Sequence, residues 1–183
     1  MSENRSVKPV TQKRLTNIAL YYLGRYESSA GNLRRVLLRR VAKAAAGGAD
    51  VPPESAEWVE SVVSEMKRLG YVDDSRFAET TAEKYRKAGK SERFIRQKLS
   101  QAGVETDLQD SVLSARDSAE NADSDLEAAK RLVAKRKIGA FRPERDRAAF
   151  RKKDLAVLAR AGFSFQTAVA ALGNCDGGED VEY

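Results

Sequence analysis

Residues 69–105, LGYVDDSRFAETTAEKYRKAGKSERFIRQKLSQAGVE, decide the fold of this chain. The order of turn residues and apolar residues predicts the end of one helix, a tight turn and two further helices. Asp73 and Asp74 stand where an N-cap is needed, because a carboxylate accepts hydrogen bonds from the unpaired N–H groups of a first turn. Gly89 and Gly103 end the two helices, since glycine readily adopts the left-handed conformation that closes a helix. Neither helix is long enough to be stable alone, so both need packed neighbours.

Apolar residues recur three and four positions apart along most of the remaining chain, which is the helical pattern. Further helices are predicted over 15–26, 30–46, 54–69, 106–116, 124–137, 144–161 and 165–172. In the first of these, Leu15, Ala19 and Tyr26 share the inward face. With 42% apolar residues and only four prolines in 183, the chain has enough material for a thin helical core. The predicted fold class is therefore all-α.

The composition excludes several kinds of site. The chain has no histidine and one cysteine, Cys175, so it lacks the commonest general base and the usual zinc ligands. We expect no metal, no cofactor and no enzymatic activity. The lone cysteine cannot form an internal disulfide, which favours a reducing, cytoplasmic location. No apolar run approaches the ~20 residues that span a bilayer, and no signal-peptide core is present at the N-terminus.

Two short motifs have a functional and a structural interpretation. Gly89-Lys90-Ser91 resembles the end of a phosphate-binding loop. The full pattern needs glycine at position 84, which is lysine, and no apolar strand precedes it, so a helix connector is favoured. Asp73-Asp74 could be half of a carboxylate site, but adjacent carboxylates at the start of a helix more often cap it.

An internal repeat organises the chain. Residues 99–113 and 158–172 align without a gap at an offset of 59, with Ala102-Gly103 matching Ala161-Gly162. Residues 37–69 fit the same pattern more loosely. A three-helix unit cannot bury its apolar face alone and stacks on its neighbours. The sequence thus predicts three tandem three-helix repeats that form an elongated, curved body.

The repeat pattern sets the expected domain boundaries. They are a disordered N-terminal segment over 1–13, three-helix repeats over 14–72, 73–117 and 118–173, and an acidic disordered tail over 174–183.

Charge is segregated along the chain. The net charge is +6, but residues 1–49 and 126–162 carry +8 each, whereas residues 50–125 carry −6 and residues 163–183 carry −4. Segregated charge indicates an anionic partner that touches two separated places. Basic side chains three or four residues apart on a helix can follow a phosphate backbone or an acidic protein groove. The alternative is a solvated face whose long side chains cover apolar neighbours. The residues predicted to bind the partner are Arg34, Arg35, Arg39, Arg40, Lys90, Arg93, Arg96, Lys130, Arg131, Lys135, Arg136, Arg147, Arg151 and Lys152.

Several segments of the chain resemble the RecX family of bacterial regulatory proteins, which modulate the RecA recombinase. The most specific is residues 69–79, LGYVDDSRFAE, and weaker matches lie at Ala19-Leu20-x-x-Leu23, at Gly89-Lys90-Ser91 and at Ala161-Gly162-Phe163-Ser164. Together they cover about 15–172. The motif residues, whose roles would be structural, are Gly70, Tyr71, Asp73, Asp74, Phe77, Ala78, Gly103, Gly162 and Phe163.

The resemblance implies both a fold and a function. The fold is three tandem three-helix repeats, and the function is binding along the groove of the RecA filament on single-stranded DNA. A protein bound there inhibits ATP hydrolysis and strand exchange, and we expect it to act as a monomer without catalytic residues. Two departures from the family pattern, at Ala44–Asp50 and Ser91, bear on the geometry of the first repeat more than on the identity.

Two other classes of function remain open. A free-standing helical protein that binds nucleic acid directly would need a recognition helix and usually a dimer, and nothing in the sequence marks one helix as the reader. An enzyme would need a nucleophile with a base, a metal cluster or a phosphate loop, and the sequence offers none of these.

Overall fold

The computed structural model describes residues 9–114 and 124–173, and all regular structure in those residues is helical. The helices are α1 (Gln12–Leu23), α2 (Ala30–Ala46), α3 (Ser55–Arg68), α4 (Asp74–Lys87), α5 (Glu92–Ala102), α6 (Thr106–Ser114), α7 (Ser124–Arg136), α8 (Glu144–Ala161) and α9 (Phe165–Leu172), with a 3-10 helix at Gly139–Phe141. The all-α prediction is confirmed. None of the helices in these two ranges has the length and apolar character needed to cross a membrane.

The first helix lies three residues earlier than predicted. Thr11 caps it by accepting the Arg14 N–H at 3.2 Å, and the chain leaves the helix at Gly24. The predicted burial of Tyr26 is wrong, since this side chain is 57% exposed. The last two residues of the segment predicted as disordered, 12 and 13, are helical. Residues 1–8 of that segment, and the predicted tail over 174–183, lie outside the described residues.

The chain divides into two compact units, and each has its own core. The first comprises Met1–Glu79 with Leu99–Leu108, and the second comprises Thr80–Lys98 with Gln109–Tyr183. In the first unit α3 packs against both α1 and α2. Its most buried side chains are Leu15, Leu33, Leu37, Val59, Val62 and Met66.

The core of the second unit forms where α9 packs against α7 and α8. Its buried side chains include Ala129, Val133, Leu158, Phe163 and Leu172. These residues lie on the helix faces that the apolar spacing predicts to be inward.

The internal repeat is visible in the backbone. Both α5 and α8 end at a left-handed glycine, Gly103 with φ 75° and Gly162 with φ 96°. In each case the next N–H reaches back to a leucine carbonyl, with distances of 3.1 Å to Leu99 and 3.2 Å to Leu158. This closure satisfies carbonyls that would otherwise be unpaired at the helix end. The three-helix repeat pattern is therefore confirmed.

In the first unit, the N-terminus of α2 meets the C-terminus of α5, and we call this contact the first junction. Ser29 caps α2 by accepting the Asn32 N–H at 3.1 Å, and its hydroxyl donates to the carbonyl of Ala102. Asp74, the first residue of α4, accepts the Ala30 N–H at 2.8 Å. Two helix ends therefore satisfy each other's unpaired backbone groups.

The second unit contains an equivalent contact between α5 and α8, which we call the second junction. Ser91 caps α5 by accepting the Phe94 N–H at 3.2 Å, and its own N–H donates to the Ala161 carbonyl at 3.0 Å. Asp125, in the first turn of α7, accepts the Glu92 N–H at 3.1 Å. The connector prediction for Gly89-Lys90-Ser91 is confirmed, because these residues end α4 and cap α5.

A glycine makes the close approach possible in each junction. In the first junction, a Cβ placed on Gly31 would lie 2.6 Å from the carbonyl oxygen of Gly103. In the second, a Cβ on Gly162 would meet the hydroxyl of Ser91 and lie 2.7 Å from Cβ of Phe94. Real Cβ contacts are not this short, so a side chain at either glycine forces the two helix ends apart.

Candidate partner-binding surface

The four arginines of α2 are all exposed, but two of them have structural partners. Arg34 forms a bidentate pair with Glu60 at 2.6 and 2.5 Å, and this hydrogen bonding raises the pKa of Arg34. Arg35 donates to the carbonyl of Gln101 in the first junction. Arg39 and Arg40 form no ion pair within the described ranges, although Arg39 Nε lies 3.4 Å from a carbonyl of its own helix. Two of the four arginines therefore bond to other elements of the fold, and two have no ion-pair partner among the described residues.

The cluster on α5 divides in a similar way. Arg96 pairs with Glu92 at 3.1 Å and with Asp110, and hydrogen bonds to Asp110 and then Glu92 raise the pKa of Arg96. Lys90 Nζ lies 3.3 Å from the carbonyl of Arg160, at the C-terminal end of α8. Arg93 is exposed and has no ion-pair partner in the described part of the chain.

The basic residues of α7 form the most open cluster. Lys130 donates to Glu127 at 2.8 Å, and this hydrogen bond lowers the pKa of Glu127. Arg131, Lys135 and Arg136 are exposed, and none of them forms an ion pair with another described residue. Three cations on one helix thus remain available to an external anion.

The predicted residues of α8 differ in exposure. Arg147 donates to the backbone carbonyls of Arg142 at 3.1 Å and Ala140 at 2.9 Å, so it supports the preceding loop. Arg151 is half-buried and Lys152 is exposed. Of these three predicted partner contacts, only Lys152 lies fully on the surface.

A buried carboxylate in the same region was missed by the sequence interpretation. Asp154 is 2% exposed and accepts the Gly139 N–H at 3.0 Å and two Arg142 hydrogen bonds at 2.8 Å. The Arg142 hydrogen bonds hold the pKa of Asp154 below its ordinary value, and burial opposes the shift. The guanidinium of Arg142 also lies 4.5 Å from the ring centre of Phe150. Sequence spacing held one signal, because Asp154 lies four residues before the core residue Leu158 and so faces inward.

The residues of the family motif lie at turns and helix starts. Gly70 is left-handed with φ 75° and follows α3, and Tyr71 beside it is 57% exposed. Asp73 caps α4 by accepting the Arg76 N–H at 3.0 Å, which confirms the capping interpretation. Asp74 serves the first junction and also lies 3.2 Å from Lys67 Nζ.

The other residues of the motif belong to helix faces and helix ends. Ala78 is fully buried, Phe77 is half-buried, and Phe163 is 5% exposed. Gly103 and Gly162 are the two junction glycines. The motif therefore supports the fold at these positions.

Two shallow hollows border the basic residues, one in each compact unit. In the first unit, a groove of about 580 Å³ between α1 and α2 is lined by apolar residues that include Ile18 and Val41, and also by Arg14, Arg40 and Lys43. In the second unit, a hollow of about 400 Å³ is lined by Lys130, Arg131, Val133, Ala134, Ala140, Phe141 and Ala171. The exposed Phe141 was missed in the sequence, where Gly139 and Pro143 indicated only a break between helices.

Comparison with known proteins shows that most of the chain is similar to one family. Residues 73–113 match the family described as RecX, second three-helix domain. The chain is 38% identical over 159 residues to the regulatory protein RecX of Myxococcus xanthus (strain DK1622), and the alignment covers 86% of this chain and 83% of that protein.

Two crystal structures share the fold. One, of a regulatory protein RecX, has a TM-score of 0.57 and 23% identity, covering 85% of this chain and 68% of that chain. The other, of RecX from Lactobacillus salivarius, has a TM-score of 0.56 and 16% identity, covering 88% of this chain and 94% of that chain.

Proposed function

The chain belongs to the RecX family of regulatory proteins, and we propose that it binds the RecA recombinase filament on single-stranded DNA. Bound there, it lowers the ATP hydrolysis and strand exchange of the filament and so modulates recombination and DNA repair. The observation that carries the proposal is the alignment of 86% of the chain with a regulatory protein RecX. In this function the protein acts by binding, as a monomer, and needs no cofactor.

The exposed cations support a role in contacting the filament. Arg39 and Arg40 in the first unit, and Arg93, Arg131 and Lys135 in the second, face solvent and have no ion pair within the described ranges. Such groups can meet DNA phosphates or acidic protein surface without first breaking an internal ion pair.

The cations that already have partners are expected to contribute less. Arg34 would have to leave Glu60, and Arg96 would have to leave Glu92 and Asp110, before either could meet an external anion. The free energy needed to break those pairs reduces the net stabilisation that a new contact can provide. We therefore assign partner contact first to the unpaired cations.

Such a protein can inhibit the filament only if it binds one form of the filament more tightly than another. A ligand shifts an equilibrium only by the ratio of its affinities for the two states. The protein therefore has to bind the hydrolytically inactive or disassembling form of the filament more tightly than the active form. A preference of about 1.4 kcal/mol shifts the ratio of the two forms tenfold.

The function is tested by DNA-dependent ATP hydrolysis of a bacterial RecA while the full chain is titrated in. We expect hydrolysis to fall at amounts of the chain well below those of RecA, with no effect on an unrelated DNA-dependent ATPase. Because charged contacts are screened by salt, half-inhibition is expected to need more protein as the salt concentration rises. Hydrolysis that falls only once the chain has coated the DNA would instead favour a free-standing nucleic-acid-binding protein.

A pair of matched double variants tests the role of the unpaired cations. Arg39→Ala with Arg40→Ala removes two charges from α2, and Arg68→Ala with Arg76→Ala removes two exposed charges outside the predicted clusters. The first variant is expected to need roughly tenfold more protein for half-inhibition, corresponding to about 1.4 kcal/mol. The second should behave as the unchanged protein. If both double variants lost inhibition equally, inhibition would depend on the net charge of the protein and not on the positions of Arg39 and Arg40.

A further inference from the structure

The loop between α7 and α8 is fixed on both sides of Phe141. The buried carboxylate of Asp154 accepts the N–H of Gly139 at 3.0 Å and the guanidinium of Arg142 at 2.8 Å. Arg147 donates to the two backbone carbonyls that flank Phe141, at 2.9 and 3.1 Å. The backbone that carries Phe141 is therefore tied to α8 by charged hydrogen bonds, which are stronger than neutral ones.

This fixed loop holds an aromatic side chain in solvent. Phe141 is 60% exposed, although a buried phenylalanine contributes about 1.5–3 kcal/mol to stability. A single exposed apolar side chain is ordinary by itself. What distinguishes Phe141 is its rigid support, since a group already ordered before binding loses little conformational entropy when a ligand arrives.

Two cations line the same hollow as the exposed ring. Phe141 shares the hollow with Arg131 and Lys130, and its other lining residues are Val133 and three alanines. Glu127 is the neighbouring acid, and it pairs with Lys130 at 2.8 Å. Arg131 forms no ion pair among the described residues, although its charge helps to lower the pKa of Glu127 after the contribution of Lys130. The hollow thus combines one flat apolar surface with an exposed guanidinium.

We propose that this hollow is a stacking platform for single-stranded nucleic acid, in which a base lies on Phe141 while Arg131 and Lys130 approach the flanking phosphates. Stacking on an aromatic ring is tolerant of sequence, because every base has a π-face. The inference goes beyond the proposed function, since it assigns one aromatic site on this chain to the bases of a nucleic acid, and it can be tested in the absence of any recombinase.

The local charge favours nucleic acid over a protein pocket as the occupant. Residues 126–162 carry 12 basic and 4 acidic side chains, so the region attracts a polyanion. An apolar pocket on a protein would gain from Phe141 but would have to desolvate the adjacent guanidinium. Each nucleotide carries both a base, which can stack on the ring, and a phosphate, which can meet the cations.

The direct test is binding of the full chain to a fluorescein-labelled oligo-dT of about 16 nucleotides, which spans one ordinary single-strand site. Fluorescence anisotropy compares Phe141→Ala with Phe165→Ala, a matched control that removes a phenylalanine of 72% exposure from the same unit. We expect Phe141→Ala to weaken binding about tenfold, as loss of one stacked base does. Phe165→Ala should leave binding unchanged, and neither variant should alter the urea unfolding midpoint.

Two further substitutions separate stacking from simple apolar contact. Phe141→Leu keeps the apolar volume but not the flat ring, so binding to DNA should stay weak, whereas a protein pocket would accept leucine. Phe141→Trp restores the ring and should restore affinity. Oligo-dT should also quench the added tryptophan of Phe141→Trp strongly and that of Phe165→Trp little.

Three outcomes would overturn the proposal. They are unchanged affinity of Phe141→Ala for oligo-dT, full affinity of Phe141→Leu, and no binding of the unchanged chain to oligo-dT at low salt. An abasic strand of the same length is the last control, and the unchanged chain should bind it about as weakly as Phe141→Ala binds oligo-dT. Since no recombinase is present, failure here leaves the RecA titration as a separate result.

Discussion

The first and second junctions make the same contact with different groups. In both, a serine caps the second helix of one repeat. The first N–H of that capped helix donates to an aspartate in the first turn of the helix that begins the next repeat. In the first junction a side-chain hydroxyl, that of Ser29, donates to the carbonyl of Ala102, and two glycine backbones touch. In the second, the backbone N–H of Ser91 donates to the carbonyl of Ala161, and Gly162 faces a phenylalanine side chain.

The difference shows which features of the junction are required by physics and which are exchangeable. Both junctions place the positive end of one helix against the negative end of another, so the two helix dipoles attract each other. Both also need a left-handed glycine at the end of the arriving helix. The donor and the facing residue vary, because any group that satisfies the last carbonyls and leaves room for the glycine is sufficient.

The strongest test of this distinction is a pair of alanine substitutions at equivalent positions. Gly31 follows Ser29 by two residues, and Arg93 follows Ser91 by two. Gly31→Ala should destabilise the protein by about 3 kcal/mol, because its methyl group would lie 2.6 Å from the carbonyl oxygen of Gly103 and overpack the contact. Arg93→Ala, at an exposed position, should change stability by less than about 0.5 kcal/mol.

Urea unfolding followed by circular dichroism measures both changes. Alanine favours a helix over glycine by about 1 kcal/mol, so a stabilised Gly31→Ala protein would mean that the two helix ends separate easily. That outcome would show that the junction does not require the close glycine contact.

The two junctions also mark the limit of what the sequence could predict. The offset of 59 and the closing glycines at 103 and 162 correctly predicted the helix ends, because capping is a local property of the chain. The facing residues could not be read in the same way. Gly31 and Gly103 are distant in sequence, and apolar spacing shows which face is buried but not what it meets.

The basic residues of the candidate surface also show that spacing predicts the face of a helix but not its contacts. Their spacing correctly placed Arg34 on an exposed face, whereas Arg96 is half-buried. It could not show that Arg34 pairs with Glu60 or that Arg96 pairs with Asp110. Long side chains reach acids on other helices, and helical spacing carries no information about those partners. Their predicted contact with an external partner stays a prediction, as it does for the unpaired cations.

A buried carboxylate that accepts a backbone N–H provides a test with a defined dependence on pH. Asp154 is buried and accepts the Gly139 N–H, as Asp74 and Asp125 accept theirs in the junctions. Asp154→Asn should destabilise the protein by about 2 kcal/mol at pH 7, because Arg142 loses its charged partner.

The sign of the pH effect follows from the lowered pKa of Asp154. Between its folded pKa and the ordinary value of 3.8, the unfolded chain binds the proton more readily, so stability falls as the pH falls through this range. The difference in urea midpoint between the unchanged protein and Asp154→Asn should therefore shrink from pH 7 to about pH 3. An equal difference at both pH values would mean that the negative charge itself adds nothing.

The smallest expected effect separates the two junction aspartates. Asp74→Ala and Asp125→Ala each remove one acceptor of a helix N–H and should cost about 1 kcal/mol. Asp74 also pairs with Lys67 at 3.2 Å, with both groups partly exposed, and such pairs contribute about 0.2–1 kcal/mol. Asp74→Ala should therefore cost a few tenths of a kcal/mol more than Asp125→Ala.

The extra cost should disappear in a Lys67→Ala background, where only the N–H contact remains to be lost. A double-mutant cycle on the urea midpoints measures that coupling. Coupling near zero would show that the ion pair adds nothing and that Asp74 stabilises the first junction through its N–H contact alone. A coupling well above 1 kcal/mol would show instead that the first junction depends on the charge of Lys67. The second junction would then differ from it, because no lysine is paired with Asp125 among the described residues.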